Sequence, residues 1–357
     1  MDFSQYGGPS EEWLAVEKTL PQLSFDTSLP PTVLKKDVNA LRVSLASEAM
    51  KTLRPKVQTA DHTIPTRDGS TIGARSYRPA SKDPSEKLPV YLYFHGGGFL
   101  FGNLDTEDPV CAAIAIQTGV AVLSVNYRHT PEHKFPTAWW DTHDAFAWLH
   151  QNIDAIGGDP SKIVVGGISA GGQLTASLVL EKHLGKALTE YPPIAGQILL
   201  IPALAHLATY EDGPIKLMKS PEVSSYKQNE NAPLLPVSAI KYFYNLLETD
   251  SKPDLKDTKL NIVNATPEEV KGLPPTVFCI CGLDPLRDEG LLYAKLLSEA
   301  NVPTDTYLLK GIPHGARRFG SQLKANAKWD EVHQQGILWT LSKPAATGNL
   351  EVKVFES

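Results

Sequence analysis

The stretch Lys162-Ile163-Val164-Val165-Gly166-Gly167-Ile168-Ser169-Ala170-Gly171-Gly172 decides how this chain is read. Its first half is an apolar run without polar alternation, as expected of a strand buried on both faces of a parallel sheet. It passes directly into Gly167-Ile168-Ser169-Ala170-Gly171 and then into a helix-like segment over 169–182. A serine on so tight a strand-to-helix turn is held exposed above the sheet edge. Small residues flank it because larger side chains would clash with the turn. The Gly-x-Ser-x-Gly pattern alone is weakly specific, and the strand before it and helix after it give it weight.

The same strand-then-helix rhythm recurs on both sides of this stretch. Residues 57–64 and 71–78 read as two strands joined by an Asp-Gly turn at Arg67-Asp68-Gly69. Further apolar runs stand at Val90–Phe94, Val120–Val125, Ile163–Gly167, Gln197–Ile201, Thr276–Cys281 and Thr306–Leu309. Helical segments are expected near 106–118, 136–151, 169–182, 238–247, 287–300 and 322–341. The pattern predicts an α/β fold: a mostly parallel eight-stranded sheet with helices on both faces. Two proline-interrupted stretches break the rhythm, each read as part of a helical lid. The first, 1–48, has helix-like patches at Glu11–Leu20 and Val33–Ala49, broken by Pro21, Pro30 and Pro31. The second, 203–236, is interrupted by Pro214, Pro221, Pro233 and Pro236. The core is then 49–202 with 237–345, and 346–357 is a C-terminal tail.

A second chemical signal, His95-Gly96-Gly97-Gly98, closes the strand Val90–Phe94. A glycine run there lets backbone N–H groups turn inward, where they can stabilise the oxyanion of an acyl-transfer intermediate. A reactive serine also needs a base, and ten histidines compete for that role. His143, His150, His183 and His333 fall in expected helices, where a solvated face explains them. His314 instead follows the last apolar run, in Gly311-Ile312-Pro313-His314-Gly315, on a loop opening at the carboxyl edge of the sheet. Asp284 follows the preceding run and can reach the same edge to fix the histidine tautomer. Asp288 is the rival acid, more simply read as a charge in the first turn of helix 287–300. The order Ser169, Asp284, His314 is that of α/β-hydrolases.

Composition bounds the alternatives. The 357 residues are 42% hydrophobic and 21% charged, which suits an ordered globular chain. Forty acidic against thirty-four basic side chains give −6, the wrong sign for a nucleic-acid binder. No apolar run reaches about eighteen residues, so no membrane span is expected. The first residues show no basic-then-apolar leader, so a cytoplasmic location is expected. Three scattered cysteines build neither a disulfide framework nor a metal finger, and Cys279 and Cys281 read as core residues. His129-Thr130-Pro131-Glu132-His133 matches the zinc pattern H-x-x-E-H, but Pro131 breaks the continuous helix which that chemistry needs. No metal, nucleotide or other cofactor is expected. The partner expected is a small-molecule ester, with a homodimer left open.

With these residues placed, the chain resembles the hormone-sensitive-lipase-like (GDXG) branch of the α/β-hydrolases, and its fungal members most. The likeness is carried by segments 93–99, 127–138, 159–172, 273–275, 282–290 and 311–315, in the family's order. It implies a serine ester hydrolase whose lid combines the N-terminal helices with the insertion after the sixth strand. It also implies an oxyanion hole of the Gly97, Gly98 and Ala170 amides, with His95 as structural support for the glycine loop. The family usually has Asp or Glu before the serine, and Ile168 stands there instead. The expected activity is hydrolysis of short-acyl esters of hydrophobic or aromatic alcohols, with Phe3, Tyr6, Trp13 and Phe25 of the N-terminal stretch and Phe99 and Phe101 after the glycine run offering apolar surface near the site or else packing the lid onto the core. A metabolite-tailoring enzyme on the same residues (deacetylase, lactonase, acyltransferase or cyclase) is the alternative. A non-catalytic receptor is remote, because such relatives lose a triad member.

Overall fold

The computed structural model describes residues 1–20 and 28–356. Phe25, an aromatic expected near the site, and Pro21 lie outside the described residues. The strands are β1 (Val57–Pro65), β2 (Thr71–Pro79), β3 (Leu88–Phe94), β4 (Ala121–Asn126), β5 (Gly158–Ile168), β6 (Gly196–Leu200), β7 (Thr276–Leu283), β8 (Thr304–Pro313) and β9 (Val352–Phe355). They form one sheet in the order β1-β2-β4-β3-β5-β6-β7-β8-β9. β1 pairs antiparallel with β2, and β2 antiparallel with β4, while every pairing from β4 to β9 is parallel. The expected Asp-Gly turn joins β1 to β2, with Gly69 at φ +81° and its N–H donated to the Thr66 carbonyl.

Alternation within the central strands divides the core between two faces. Leu92, Phe94, Val165 and Leu199 face one way, onto the helices Thr137–Gln151, Ala170–His183 and Arg287–Glu299. Tyr91, Tyr93, Val164 and Ile198 face the other, onto the helices Leu104–Thr118 and Lys324–Leu341. Every residue of β6 and of β7 is buried, which is why these strands read as unbroken apolar runs.

The sheet has nine strands among the described residues, one more than the sequence predicts. β9 lies within the expected tail and pairs parallel with β8, Thr306 opposite Val352 and Leu309 opposite Phe355. It is a four-residue edge strand with no buried residue, so no apolar run announces it. Ion pairs fasten it at both ends, Lys353–Asp305 at 2.7 Å and Lys310–Glu356 at 2.8 Å.

The two proline-broken stretches meet. The Met1 ammonium donates to the Leu217 carbonyl (2.7 Å), and the Lys219 N–H to the Met1 carbonyl (2.6 Å). Between 203 and 236 the backbone makes single turns, two of them opening on Pro214 and Pro221, whose missing N–H costs nothing at a first helical position. The helix Pro31–Leu53 runs uninterrupted past position 48. Among the described residues no helix is long and apolar enough to cross a membrane.

Candidate active site

β5 ends at Ile168 and the helix Ala170–His183 begins two residues later, leaving Ser169 alone at the junction. Its backbone is held at φ 56°, ψ −116°, a strained conformation for a residue with a Cβ. The turn closes so tightly that a Cβ on Gly171 would stand 2.0 Å from the Phe94 carbonyl oxygen. That contact is the physical reason for glycine two residues after the serine.

β8 delivers His314 and β7 delivers Asp284 to the same edge of the sheet. Ser169 Oγ lies 2.9 Å from His314 Nε2, and His314 Nδ1 lies 2.8 Å from Asp284 Oδ2. A carboxylate can only accept, so Nδ1–H donates to Asp284, and Nε2 is left to accept the serine hydroxyl. Asp284 Oδ1 accepts the Leu286 N–H at 2.9 Å, and the carboxylate is buried. Asn229 Nδ2 donates to the Asp284 carbonyl at 3.0 Å, so the inserted segment braces this strand end.

Asp288 is placed elsewhere. One of its oxygens accepts the Ser225 N–H at 2.6 Å and the other the Arg287 Nε–H at 2.8 Å. It is wholly buried and pins the one-turn helix Ser225–Gln228 to the helix Arg287–Glu299. Asp288 does stand in the first turn of that helix, as the sequence suggests, and there it serves as an interior tie.

The glycine loop lies beside Ser169. His95 is buried beneath it, donating Nδ1–H to the Gly96 carbonyl at 2.9 Å and stacking on Tyr127 with ring centres 4.5 Å apart. Tyr127 Oη in turn donates to the His95 carbonyl at 2.8 Å. Burial pulls the His95 pKa below its ordinary value, so the ring is a neutral prop. Gly98 sits at φ +62°, and a Cβ there would come within 2.6 Å of the Phe243 ring, so this position requires glycine on both counts. Among the described residues, the N–H groups of Gly97, Gly98 and Ala170 donate to no backbone carbonyl outside regular elements. Ile168 packs its Cγ2 against Gly96, putting an aliphatic surface where the resemblance expects a carboxylate.

Several contributors were not legible in the sequence. Phe243 belongs to the helix Val237–Leu247, which reads as core but sends this ring over the glycine loop and edge-on to Phe101 at 5.9 Å. Its apolar periodicity signals burial without saying against what. Asn39, on the helix Pro31–Leu53, accepts the Gly102 N–H at 2.8 Å and fastens that helix to the end of the loop. Among the other expected aromatics, Phe99 stacks on Trp139, Trp13 packs on Phe319, and Phe3 stacks with Tyr6. Of these contacts only Trp13 on Phe319 joins the N-terminal stretch to the core; Phe3–Tyr6 lies within that stretch and Phe99–Trp139 within the core.

The residues of the H-x-x-E-H match do not converge. His129 is buried against His95 and Tyr127, Glu132 pairs with Lys35 at 2.7 Å, and His133 is exposed. Among the described residues no group of three or more His, Cys, Asp or Glu side chains is placed to hold a metal ion. A cavity of about 270 Å³ is lined by Trp13, Asn229 and Leu283, but by none of Ser169, Asp284 and His314.

The profile of the alpha/beta hydrolase fold matches residues 91–318 of this chain. Esterase LipI of Mycobacterium tuberculosis is 32% identical over 279 residues, which is 78% of this chain and 81% of that protein. Among solved structures, vibralactone cyclase is similar with a TM-score of 0.81 and 27% identity, covering 95% of this chain and 96% of that one. A bacterial heroin esterase is similar with a TM-score of 0.79 and 27% identity, covering 93% and 98%.

Proposed function

The chain belongs to the α/β-hydrolase family and is an enzyme of carboxylesterase type; from that premise we propose that it cleaves short-acyl esters of hydrophobic or aromatic alcohols through Ser169, Asp284 and His314. The observation that carries this reading is the unbroken chain of contacts from Ser169 Oγ through the imidazole to Asp284, at 2.9 and 2.8 Å. Ser169 attacks the acyl carbon while His314 Nε2 takes its proton, and Asp284 stabilises the imidazolium that forms. The developing oxyanion is met by the N–H groups of Gly97, Gly98 and Ala170. His314 then protonates the leaving alkoxide, and water, deprotonated by the same nitrogen, releases the acyl group as a carboxylic acid. Ile168, directly before Ser169, withholds the supporting acid common in the family while leaving the three residues themselves in place.

Phe243 lies over Gly98 and edge-on to Phe101, and these two rings are the proposed wall of a bounded acyl pocket. Each buried methylene contributes about 0.8 kcal/mol until the pocket ends. With p-nitrophenyl esters of graded length, kcat/KM therefore rises from acetyl to butyryl or hexanoyl and then falls. A monotonic rise through palmitoyl, with activation at an oil–water interface, would contradict the bounded pocket.

The likeness to vibralactone cyclase supports a second reading, in which the same acyl-enzyme is intercepted by a substrate hydroxyl instead of water. That outcome requires the lid to exclude water. A cyclised or transferred product, in place of free acid, distinguishes it.

A further inference from the structure

One side chain of the N-terminal stretch bonds directly to the end of the glycine loop, and the serine chemistry makes no use of it. Asn39 stands 63 residues before Gly102, half-buried on the helix Pro31–Leu53. Its Oδ1 accepts the Gly102 N–H at 2.8 Å, and its Nδ2 donates to the Gly102 carbonyl at 3.4 Å. A side-chain amide can accept and donate at once, so both polar groups of one residue are held from outside. Gly102 has no room to move inward. Its φ is +104°, and a Cβ there would collide with the buried His95 ring. The loop thus closes its end onto its own beginning, and Asn39 clamps it there.

Two peptide groups carry this clamp to the oxyanion donors. The Gly102 N–H and the Phe101 carbonyl belong to one planar peptide. That carbonyl packs on Gly97 so closely that a Cβ on Gly97 would collide with it. Phe101 also donates its own N–H to the Gly97 carbonyl at 2.9 Å, and Leu100 donates to the same oxygen at 3.1 Å. The Gly97 carbonyl in turn shares its peptide plane with the Gly98 N–H. Tilting the Phe101–Gly102 peptide therefore presses on Gly97 and turns the Gly98 donor. Beyond Gly102 the chain passes at once into Asn103, which caps the helix Leu104–Thr118. The cap fixes where the loop ends, and Asn39 fixes how its last peptide is rotated. Lys35 fastens the same N-terminal helix elsewhere. It donates to the Thr130 carbonyl at 3.1 Å and pairs with Glu132 at 2.7 Å, without bonding to the Phe101–Gly102 peptide.

We propose that Asn39 is a positioning residue for ester hydrolysis, holding the Phe101–Gly102 peptide so that the Gly97 and Gly98 N–H groups meet the developing oxyanion. This rests on the reading of Ser169, His314 and the glycine loop as one catalytic site. Asn39 acts through the backbone alone. Without it the Gly102 N–H is left unpaired, and its peptide turns to find another acceptor.

The test uses the wild type, N39L, N39A, N39D and K35M, with p-nitrophenyl butyrate as substrate. Two inhibitors are compared, 1,1,1-trifluoro-4-phenylbutan-2-one and the unactivated 4-phenylbutan-2-one. Ser169 Oγ adds to the activated carbonyl carbon, its proton passes to His314 Nε2, and the carbonyl oxygen becomes an alkoxide facing the glycine loop. The quantity read is Ki of the plain ketone over Ki of the trifluoroketone, which separates oxyanion contacts from binding of the shared skeleton. In N39L and N39A this ratio and kcat/KM are each expected to fall about tenfold, less than the roughly 10²-fold cost of losing an oxyanion donor outright. N39D keeps the acceptor for the Gly102 N–H and should recover most of both. K35M should lower the melting temperature and leave the ratio where it was. Thermal melts report that each variant is folded. An unchanged ratio in folded N39L and N39A would overturn the proposal and leave the esterase reading standing. A ratio that fell as far in K35M would also overturn it, because docking of the helix and not the bond to Gly102 would then be responsible. A wild type that bound the two ketones equally would instead remove the underlying reading of the serine and its oxyanion donors.

Discussion

Replacing Ser169 by Ala is expected to lower kcat on p-nitrophenyl butyrate on the order of 10⁶-fold, with the fold intact. The side chain lost is the proposed nucleophile, and among the described residues no second hydroxyl is placed on the imidazole: His314 Nε2 has Ser169 Oγ as its partner at 2.9 Å. Alanine keeps the backbone within the same steric class, so the turn between β5 and the helix Ala170–His183 is not asked to change. The residual rate over water then reports what the oxyanion amides and substrate binding achieve without a nucleophile. The check is steady-state kinetics beside a thermal melt. A folded S169A enzyme within tenfold of the wild type would place the chemistry elsewhere.

The second large effect separates the two candidate acids. Asp284→Asn is expected to lower kcat by up to about 10⁴-fold, because an amide donor facing Nδ1 favours the tautomer whose Nε2 carries a proton and cannot accept one. KM should move little, since Asp284 is buried behind the imidazole. Asp288→Asn should act on stability instead. Its carboxylate accepts from the Ser225 N–H and pairs with Arg287, and both residues are fully buried, so removing the charge leaves an uncompensated guanidinium. A drop in melting temperature with near-normal kcat in the surviving folded enzyme is the expected signature. If the kinetic loss fell on Asp288→Asn and not on Asp284→Asn, the assignment of the orienting acid would be wrong.

How much of this could be read from the chain depends on how locally each feature is determined. The parallel strands β3 to β8 announce themselves because burial in the sheet demands apolar runs, as in Val164–Gly167 or Thr276–Cys281, and β1 and β2, largely exposed or alternating, are signalled by the Asp-Gly turn between them. β9 does not, because an exposed edge strand is held by backbone pairing with β8 and two ion pairs. Ser169, Asp284 and His314 can be named because each follows a strand, and parallel strands bring their carboxyl ends to one edge. Asp284 and Asp288 differ by one helical turn, and only the tertiary position of Ser225 explains what Asp288 is for. The placing of Phe243 over Gly98, and of Asn39 on Gly102, arises from how helices distant in sequence dock. Periodicity within a helix shows that one face is buried, not which residues it will meet. Ile168 was visible as a departure, while its contact with Gly96 was not.

The central claim is that Ser169 is the activated nucleophile, and covalent trapping tests it most directly. The enzyme is titrated to full inactivation with a serine-directed organophosphate, digested, and its adduct located by peptide mass spectrometry. One adduct on Ser169, formed in proportion to the activity lost, is the predicted result. An adduct on another serine, with Ser169 unmodified and activity gone, would contradict it.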